Sequence, residues 1–280
     1  MRRILEFTVV AVVLFLALPA TSEEMHVRAS LVSDADAIEA GTGFALGVLF
    51  EPEPGWHIYW RNPGEAGLAT EVDFELAEGF RAGEVGWPAP IFFEQSGGLV
   101  GYGYEKPVVL AAEVQPPAAA PARTRVMLAA SWLACKEVCV FESAELSAEL
   151  PLAGAELAGS KTALAQWRRS LPAEDAPAGF SVNVTGGPVP ETGAADLVIW
   201  LSWINAPSAV ELFPDPGPGL KVENLRVRTR GTTTRADLTV SRLKHPSGRT
   251  SSLRSLVVTT DREGARSAAV THIELERKTQ

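Results

Sequence analysis

The chain has 280 residues, of which 46% are hydrophobic and 21% are charged, as expected for a globular protein with a buried core. Its formal net charge of −9 argues against nucleic acid as a partner, because phosphate binding requires a concentrated basic surface. The 24 glycines and 20 prolines argue against an all-helical fold, because both residue types favour turns.

Residues 1–22 have the layout of a secretory signal peptide. A short basic start precedes an apolar run at 7–18, small residues follow, and acidic residues come directly after Ser22. An uncleaved membrane anchor is the alternative interpretation. However, an apolar run of about a dozen residues is shorter than the ~20 that a membrane-spanning helix needs. We therefore expect cleavage after Ser22 and export of the protein from the cytoplasm.

Residues 23–152 have the pattern of short strands separated by turns. Apolar and polar side chains alternate in several segments, as in strands with one buried face, and other segments are rich in β-forming residues. Turn-forming residues occur at 51–55 and 62–64. This pattern predicts an antiparallel β-sandwich. The predicted strands are 26–32, 43–50, 56–60, 72–76, 123–133 and 144–150.

Residues 153–179 differ in composition and predict a linker with a short helix. Ser160 is the expected cap of this helix, which continues through Trp167 and ends at Leu171. From 180 to 280 the strand pattern resumes with about six strands, which predicts a second sandwich. The overall prediction is an all-β protein with two antiparallel β-sandwich domains joined by a short helical linker.

The two cysteines, Cys135 and Cys139, have the spacing C-x3-C. In an exported protein, two cysteines this close are expected to form a disulfide. A structural disulfide that closes so small a loop adds only about 2 kcal/mol of stability, against about 4.7 kcal/mol for a loop of a hundred residues. The spacing leaves three interpretations open: a reversible redox pair, a structural disulfide, or two ligands of a soft ion such as Cu(I), with His57 and Met127 as further candidate ligands.

Four motifs, taken in their order along the chain, resemble a known family. They are GWHIYWRNPG at 55–64, WPAP at 87–90, GYGYE at 101–105 and CKEVC at 135–139. Together they resemble the periplasmic amino-terminal domain of the thiol:disulfide interchange protein DsbD. They are more similar still to its ScsB-type relatives, which are associated with suppression of copper sensitivity. After residue 180 the resemblance rests on the two-sandwich layout.

The resemblance implies an immunoglobulin-like sandwich that presents a reversible dithiol and needs no cofactor. Cys139 would form the mixed disulfide with a partner, and Cys135 would resolve it. The partners would be periplasmic thioredoxin-fold proteins. A separate membrane protein would donate electrons, because these residues contain no transmembrane conduit and no thioredoxin-like domain. In DsbD the two cysteines are farther apart in sequence, whereas the ScsB-type relatives share the spacing seen here.

The resemblance also implies supporting residues around the dithiol. His57 and Tyr59 match positions beside the cysteines, and alternation along a strand would point both to one face. Phe92, Phe93, Glu94 and the following Gln95 lie where the family carries a short cap loop that shields the cysteines. Packing in the core, and for His57 a surface position, are the alternative explanations for these residues.

The expected function is thiol–disulfide exchange in the periplasm, with electrons relayed between protein dithiols through Cys135 and Cys139. The protein would then be a component of a protein-disulfide reductase system. The alternative is a non-enzymatic protein, either a copper-handling module or an assembly partner with a structural disulfide. The sequence assigns no metal site, and copper stays open as a partner.

Overall fold

A computed structural model describes residues 25–95, 97–174, 179–190, 192–217, 219–243 and 252–275. The predicted signal peptide, residues 1–22, lies outside this part of the chain. The first ten strands are β1 (Val27–Ser33), β2 (Phe44–Pro52), β3 (Ile58–Gly64), β4 (Glu71–Glu75), β5 (Arg81–Ala82), β6 (Ile91–Glu94), β7 (Val100–Tyr104), β8 (Val108–Gln115), β9 (Thr124–Cys135) and β10 (Cys139–Leu150). After helix α1 (Gly154–Ser170) come β11 (Phe180–Gly186), β12 (Ala194–Trp203), β13 (Ala209–Asp215), β14 (Leu220–Arg230), β15 (Thr233–Arg242), β16 (Ser252–Thr260) and β17 (Arg266–Glu274).

The first sandwich consists of two main sheets and one small sheet. The main sheets have the strand orders β1-β2-β8-β5 and β10-β9-β4, and the small sheet has the order β3-β7-β6. In β9, buried and more exposed side chains alternate along most of the strand, as predicted for 123–133. Phe50 of one main sheet meets Trp132 of the other, with ring centroids 5.1 Å apart. The core therefore lies between the two main sheets.

Residues 62–64, which the sequence predicts as a turn, are part of the small sheet. These residues belong to β3, whose register against β7 shifts between Tyr59 and Gly64. A β-bulge lets a strand continue through residues such as proline and glycine, which sequence patterns assign to turns. The irregularity begins directly after Tyr59, one of the candidate site residues.

Helix α1 begins earlier than predicted. It ends at Ser170, directly before the predicted end, but it starts at Gly154, and Ser160 is buried inside it. The segment from Ala155 to Ala158 consists of good helix formers, and Glu156 in it complements the positive end of the helix dipole. Its Leu164 packs with residues of β1, β2 and β8 in a separate apolar cluster. The helix therefore covers the outer face of a sheet as well as linking the two sandwiches.

The second sandwich pairs the sheet β11-β12-β15-β14 with the sheet β13-β16-β17. Side chains of both sheets fill its core, among them Ile199 and Leu201 of β12 and Leu253 of β16. The predicted all-β fold of two antiparallel sandwiches joined by a helical segment is confirmed. The domain limits at 152 and 180 stay predictions. In the described ranges, no helix is long and apolar enough to cross a membrane.

The two sandwiches meet where β13 of the second packs against the small sheet of the first. Phe213 on β13 is fully buried and belongs to the core cluster of the first sandwich. The carboxylate of Asp215 accepts hydrogen bonds from Arg61 of the first sandwich and from Arg254 of the second. Burial raises the pKa of the Asp215 carboxyl, and the Arg61 guanidinium opposes that rise. These contacts attach β13 to β3, the strand that carries Tyr59.

Candidate functional site

Cys135 and Cys139 lie opposite each other in the hairpin formed by β9 and β10. Cys135 ends β9, Cys139 begins β10, and a loop of residues 136–138 connects them. The amide of Lys136 donates to the carbonyl of Val138 at 3.0 Å and closes this loop. Directly opposed residues of antiparallel strands carry their side chains on the same face. The two sulfurs form a disulfide, with the Cα atoms 4.1 Å apart.

The two cysteines differ strongly in exposure. Cys135 exposes 2% of its surface, whereas Cys139 is exposed to solvent. Two apolar side chains near Cys139 also face solvent, Val138 at 65% and Phe141 at 59%. Phe141 lies two residues after Cys139 and therefore on the same face of β10. Cys139 is therefore the member of the pair that faces solvent, whereas Cys135 lies inside the sandwich.

His57 and Tyr59 both lie beside Cys135. The backbones of His57 and Cys135 exchange two hydrogen bonds, of 2.9 and 3.0 Å, which pair the end of β9 with the segment that leads into β3. The hydroxyl of Tyr59 donates to the sulfur of Cys135 at 3.3 Å. That hydroxyl accepts in turn from the side-chain amide of Gln95 at 2.7 Å. The Tyr59 hydroxyl is thus held between a donor and the buried sulfur.

Burial controls the protonation of both aromatic side chains. It raises the pKa of Tyr59, which the hydrogen bond from Gln95 opposes, so the hydroxyl keeps its proton at neutral pH and stays a donor. Burial lowers the pKa of His57 and so favours its neutral form. Nε2 of His57 is buried and has no hydrogen-bond partner among the residues described. A neutral imidazole can accept a proton, and the backbone pairing places His57 directly opposite Cys135.

Phe93 on β6 covers His57 and Tyr59. The centroid of its ring lies 4.0 Å from that of His57 and 5.6 Å from that of Tyr59. A glycine on the neighbouring strand β7 makes room for this ring, because a Cβ atom at Gly101 would come within 2.2 Å of it. The first glycine of the GYGYE motif therefore has a steric explanation.

Phe92 and Glu94 of the predicted cap face elsewhere. Phe92 stacks on Phe213 of the second sandwich, with ring centroids 4.4 Å apart, and Glu94 is exposed. Neighbouring side chains along a strand alternate, so Phe92 and Phe93 lie on opposite faces of the small sheet. Phe93 is thus the member of the predicted cap that packs on the aromatic rings beside the disulfide.

Comparison with known proteins finds a similar family and a similar solved structure. Residues 28–151 match the family described as thiol:disulfide interchange protein DsbD, N-terminal. The DsbD resemblance is confirmed. The crystal structure of the N-terminal periplasmic domain of ScsB from Proteus mirabilis is similar, with a TM-score of 0.63 and 20% identity over 89% of this chain and 93% of that chain. This likeness shows a shared fold, and the predicted immunoglobulin-like sandwich is confirmed. No curated protein matches the sequence.

The DsbD match covers all four motifs and ends after β10. It includes the disulfide and the two residues that approach Cys135, His57 and Tyr59. The matched region therefore resembles the thiol:disulfide interchange family, and it carries its cysteine pair as a disulfide.

Two polar residues hold Tyr59. The sequence placed Gln95 in the candidate cap segment without predicting this contact, and it gave no sign of Thr70. Gln95 donates to the Tyr59 hydroxyl, and the hydroxyl of Thr70 donates to the Tyr59 backbone carbonyl at 2.8 Å. Neither residue stands in a periodic pattern or a motif. The one available signal for Gln95 is its place at the end of the segment that resembles the DsbD cap.

Of the residues considered as copper ligands, Met127 lies far from the others. Met127 lies on the same strand as Cys135 but eight residues away, which is about 26 Å at the usual rise of a strand. His57, by contrast, pairs directly with Cys135. In the part of the chain that is described, no group of three or more His, Cys, Asp or Glu side chains is arranged to hold a metal ion.

Proposed function

We propose that this protein relays electrons between protein dithiols by reversible exchange at the Cys135–Cys139 disulfide. The observation that carries the proposal is the disulfide between an exposed cysteine, Cys139, and a buried cysteine, Cys135, whose sulfur accepts a hydrogen bond from Tyr59. In thiol–disulfide exchange, a thiolate attacks one sulfur along the S–S axis and the other sulfur leaves. Because Cys139 is exposed and Cys135 is buried, Cys139 carries the sulfur that is attacked and Cys135 carries the sulfur that leaves.

In the first step, the thiolate of a reduced partner attacks the sulfur of Cys139, the exposed cysteine of the pair. A bond forms between the partner and Cys139, the Cys135–Cys139 bond breaks, and its electron pair leaves with the sulfur of Cys135. The Tyr59 hydroxyl already donates to this sulfur, so it stabilises the negative charge where that charge develops. A hydrogen bond to the charged form also lowers the pKa of a thiol, which makes Cys135 the better leaving group.

In the second step, the partner's other thiolate attacks the partner sulfur in the mixed disulfide. Cys139 then leaves as a thiolate, the partner becomes a disulfide, and this protein has gained two electrons. The thiolates take up protons from solvent or, for Cys135, through the neutral ring of His57. The reverse sequence passes the electrons on, because Cys139 then attacks an oxidised partner and Cys135 resolves the mixed disulfide.

The proposed partners are thioredoxin-fold proteins of the periplasm and a separate membrane protein that donates electrons. Exposed Val138 and Phe141 support docking of a protein beside Cys139, because covering apolar side chains is favourable. The structural neighbour is a periplasmic ScsB domain, and the matched family is named for thiol:disulfide interchange. These likenesses support a periplasmic location and an exchange activity for this chain.

The midpoint potential of the Cys135–Cys139 pair tests the proposal. The protein is equilibrated in thiol–disulfide redox buffers, free thiols are alkylated, and the reduced fraction is measured by mass spectrometry. A relay predicts a potential of about −120 to −270 mV, the range of dithiol oxidoreductases. A potential below about −300 mV is typical of structural disulfides and contradicts the relay.

A further inference from the structure

The small sheet β3-β7-β6 lies between the disulfide and the second sandwich. Tyr59 and Phe93 occupy its face toward the disulfide, where the Tyr59 hydroxyl meets a cysteine sulfur. Their chain neighbours Trp60 and Phe92 lie on the opposite face and contact the second sandwich. Each of these two site residues is therefore one peptide bond away from a residue that packs on the second sandwich.

Phe213 on β13 is the residue that these side chains meet. The centroid of its ring lies 4.4 Å from Phe92 of β6, 5.4 Å from Tyr102 of β7 and 6.4 Å from Trp60 of β3. Phe213 is also fully buried. One side chain of the second sandwich thus packs on all three strands of the small sheet.

Polar contacts hold the backbone of the small sheet against the same side of the second sandwich. The side-chain amide of Asn62 on β3 donates to the carbonyl of Pro214 at 2.7 Å. The guanidinium of Arg266 on β17 donates to the carbonyl of Pro90 at 2.9 Å, directly before β6. The second sandwich therefore positions both β3 and β6, the strands that carry Tyr59 and Phe93.

We propose that Phe213 is a positioning residue for the hydrogen bond between Tyr59 and Cys135. Phe213 supports β6, which places Phe93 against the Tyr59 ring and leads into Gln95, the donor to the Tyr59 hydroxyl. It also supports β3, which carries Tyr59 itself. The second sandwich thereby tunes the ionisation of Cys135 in the reduced protein. This inference rests on the proposed function and gives the second sandwich a part in its chemistry.

The hydrogen bond is sensitive to small movements of either strand. The Tyr59 oxygen lies 3.3 Å from the sulfur, and hydrogen bonds weaken steeply as distance and angle depart from the preferred geometry. A displacement of about 1 Å in the residues that support a preorganised site is enough to impair that site. Removing the Phe213 ring leaves space behind all three strands, so we expect this contact to loosen.

The pKa of the Cys135 thiol tests the proposal. In the full chain, Cys139→Ala leaves Cys135 as a single thiol, whose ionisation is followed by the ultraviolet absorbance of the thiolate against pH. Tyr59→Phe and Phe213→Ala are added to this background, singly and together. We expect each to raise the pKa by about one unit, a tenfold change in the ionisation constant. Together they should raise it no further than Tyr59→Phe does alone.

Two further variants separate positioning from a general loss of stability. Leu201→Ala truncates a buried residue in the second sandwich's own core cluster, whereas Phe213 belongs to the cluster of the first, and we expect it to leave the pKa unchanged. Arg266→Gln removes the hydrogen bond to Pro90 from an exposed position, so it tests the proposal even if Phe213→Ala does not fold. We expect it to raise the pKa by less than Tyr59→Phe does.

Several results would overturn the proposal. They are an unchanged pKa in both Phe213→Ala and Arg266→Gln, an equal rise in Leu201→Ala, additive rises in the double variant, or no rise in Tyr59→Phe itself. The measurement needs no partner protein. A midpoint potential in the structural range would therefore contradict the relay and leave the result on positioning intact.

Discussion

The hydroxyl of Tyr59 lies 3.3 Å from the sulfur of Cys135, and both residues are buried in the first sandwich. Tyr59→Phe removes this donor and keeps the ring. A hydrogen bond to a charged group contributes roughly 1.5–3 kcal/mol, and only part of the charge has formed on the leaving sulfur in the transition state. We expect reduction of the disulfide by a small dithiol to slow about tenfold, measured as a second-order rate constant.

Tyr104→Phe is the matched control for this variant. Tyr104 is also buried, and its hydroxyl donates to the carbonyl of Pro88 at 2.7 Å. We expect the rate of reduction to be unchanged in this control. Equal slowing in the two variants would mean that the loss of any buried hydroxyl, and not the contact with the sulfur, causes the effect.

The difference in exposure between the two cysteines predicts that single-cysteine variants react differently. With oxidised glutathione, Cys135→Ala should accumulate a stable mixed disulfide, because Cys139 is exposed and the resolving thiol is missing. Cys139→Ala should react at least about tenfold more slowly, because Cys135 is buried. Mass spectrometry over time measures both adducts. Equal rates would contradict the assignment of Cys139 as the attacked sulfur.

His57 couples the stability of the oxidised protein to pH. Burial lowers its pKa below the ordinary value of 6.5. Between the lowered pKa and 6.5, the unfolded chain binds a proton at His57 that the folded protein does not bind, so the stability falls as pH falls through this window. Above 6.5 His57 has no such effect. Urea unfolding at a series of pH values should show a contribution of up to about 1.4 kcal/mol per pH unit.

His57→Phe should lack this contribution, so the difference between its stability curve and that of the unchanged protein isolates His57. His272→Gln, at an exposed position on β17, controls for the loss of a histidine elsewhere. A slope that is the same with and without His57 would show that this side chain does not cause the pH dependence.

Glu142 on β10 is a buried carboxylate that accepts three hydrogen bonds. The donors are the backbone amides of His26 and Val27, at 2.7 and 3.2 Å, and the indole nitrogen of Trp132 at 2.9 Å. Glu142→Ala leaves these donors without their acceptor. Because an unsatisfied buried donor costs about 1–3 kcal/mol, we expect the free energy of unfolding to fall by roughly 3 kcal/mol, measured by urea unfolding.

Glu145→Ala is the control on the same strand, because Glu145 is exposed. Its expected effect is within about 0.5 kcal/mol. Similar losses in the two variants would show that burial and the three donors are not what makes Glu142 important.

The sequence predicted β9, which has one buried face, and missed β8, which is buried on both faces along most of its length. Strand β9 alternates because one of its faces meets the core, and its alternation is visible in the sequence. Most of β8 is buried on both faces, since α1 covers the outer one, so this strand shows no alternation. The start of α1 was misplaced because Ser160, a typical cap residue, is buried inside the helix.

In the site, too, the sequence predicts the local contacts and does not predict the distant ones. The sequence by itself determined that Cys135 and Cys139 meet, because a short hairpin brings them together without any other part of the chain. Only the tertiary structure decided which of the two cysteines is buried. It also brought Tyr59, 76 positions away in sequence, to the buried sulfur, and it placed Phe213 behind the sheet that carries Tyr59. Such contacts depend on how sheets pack against each other, and a local pattern of residues does not encode that packing.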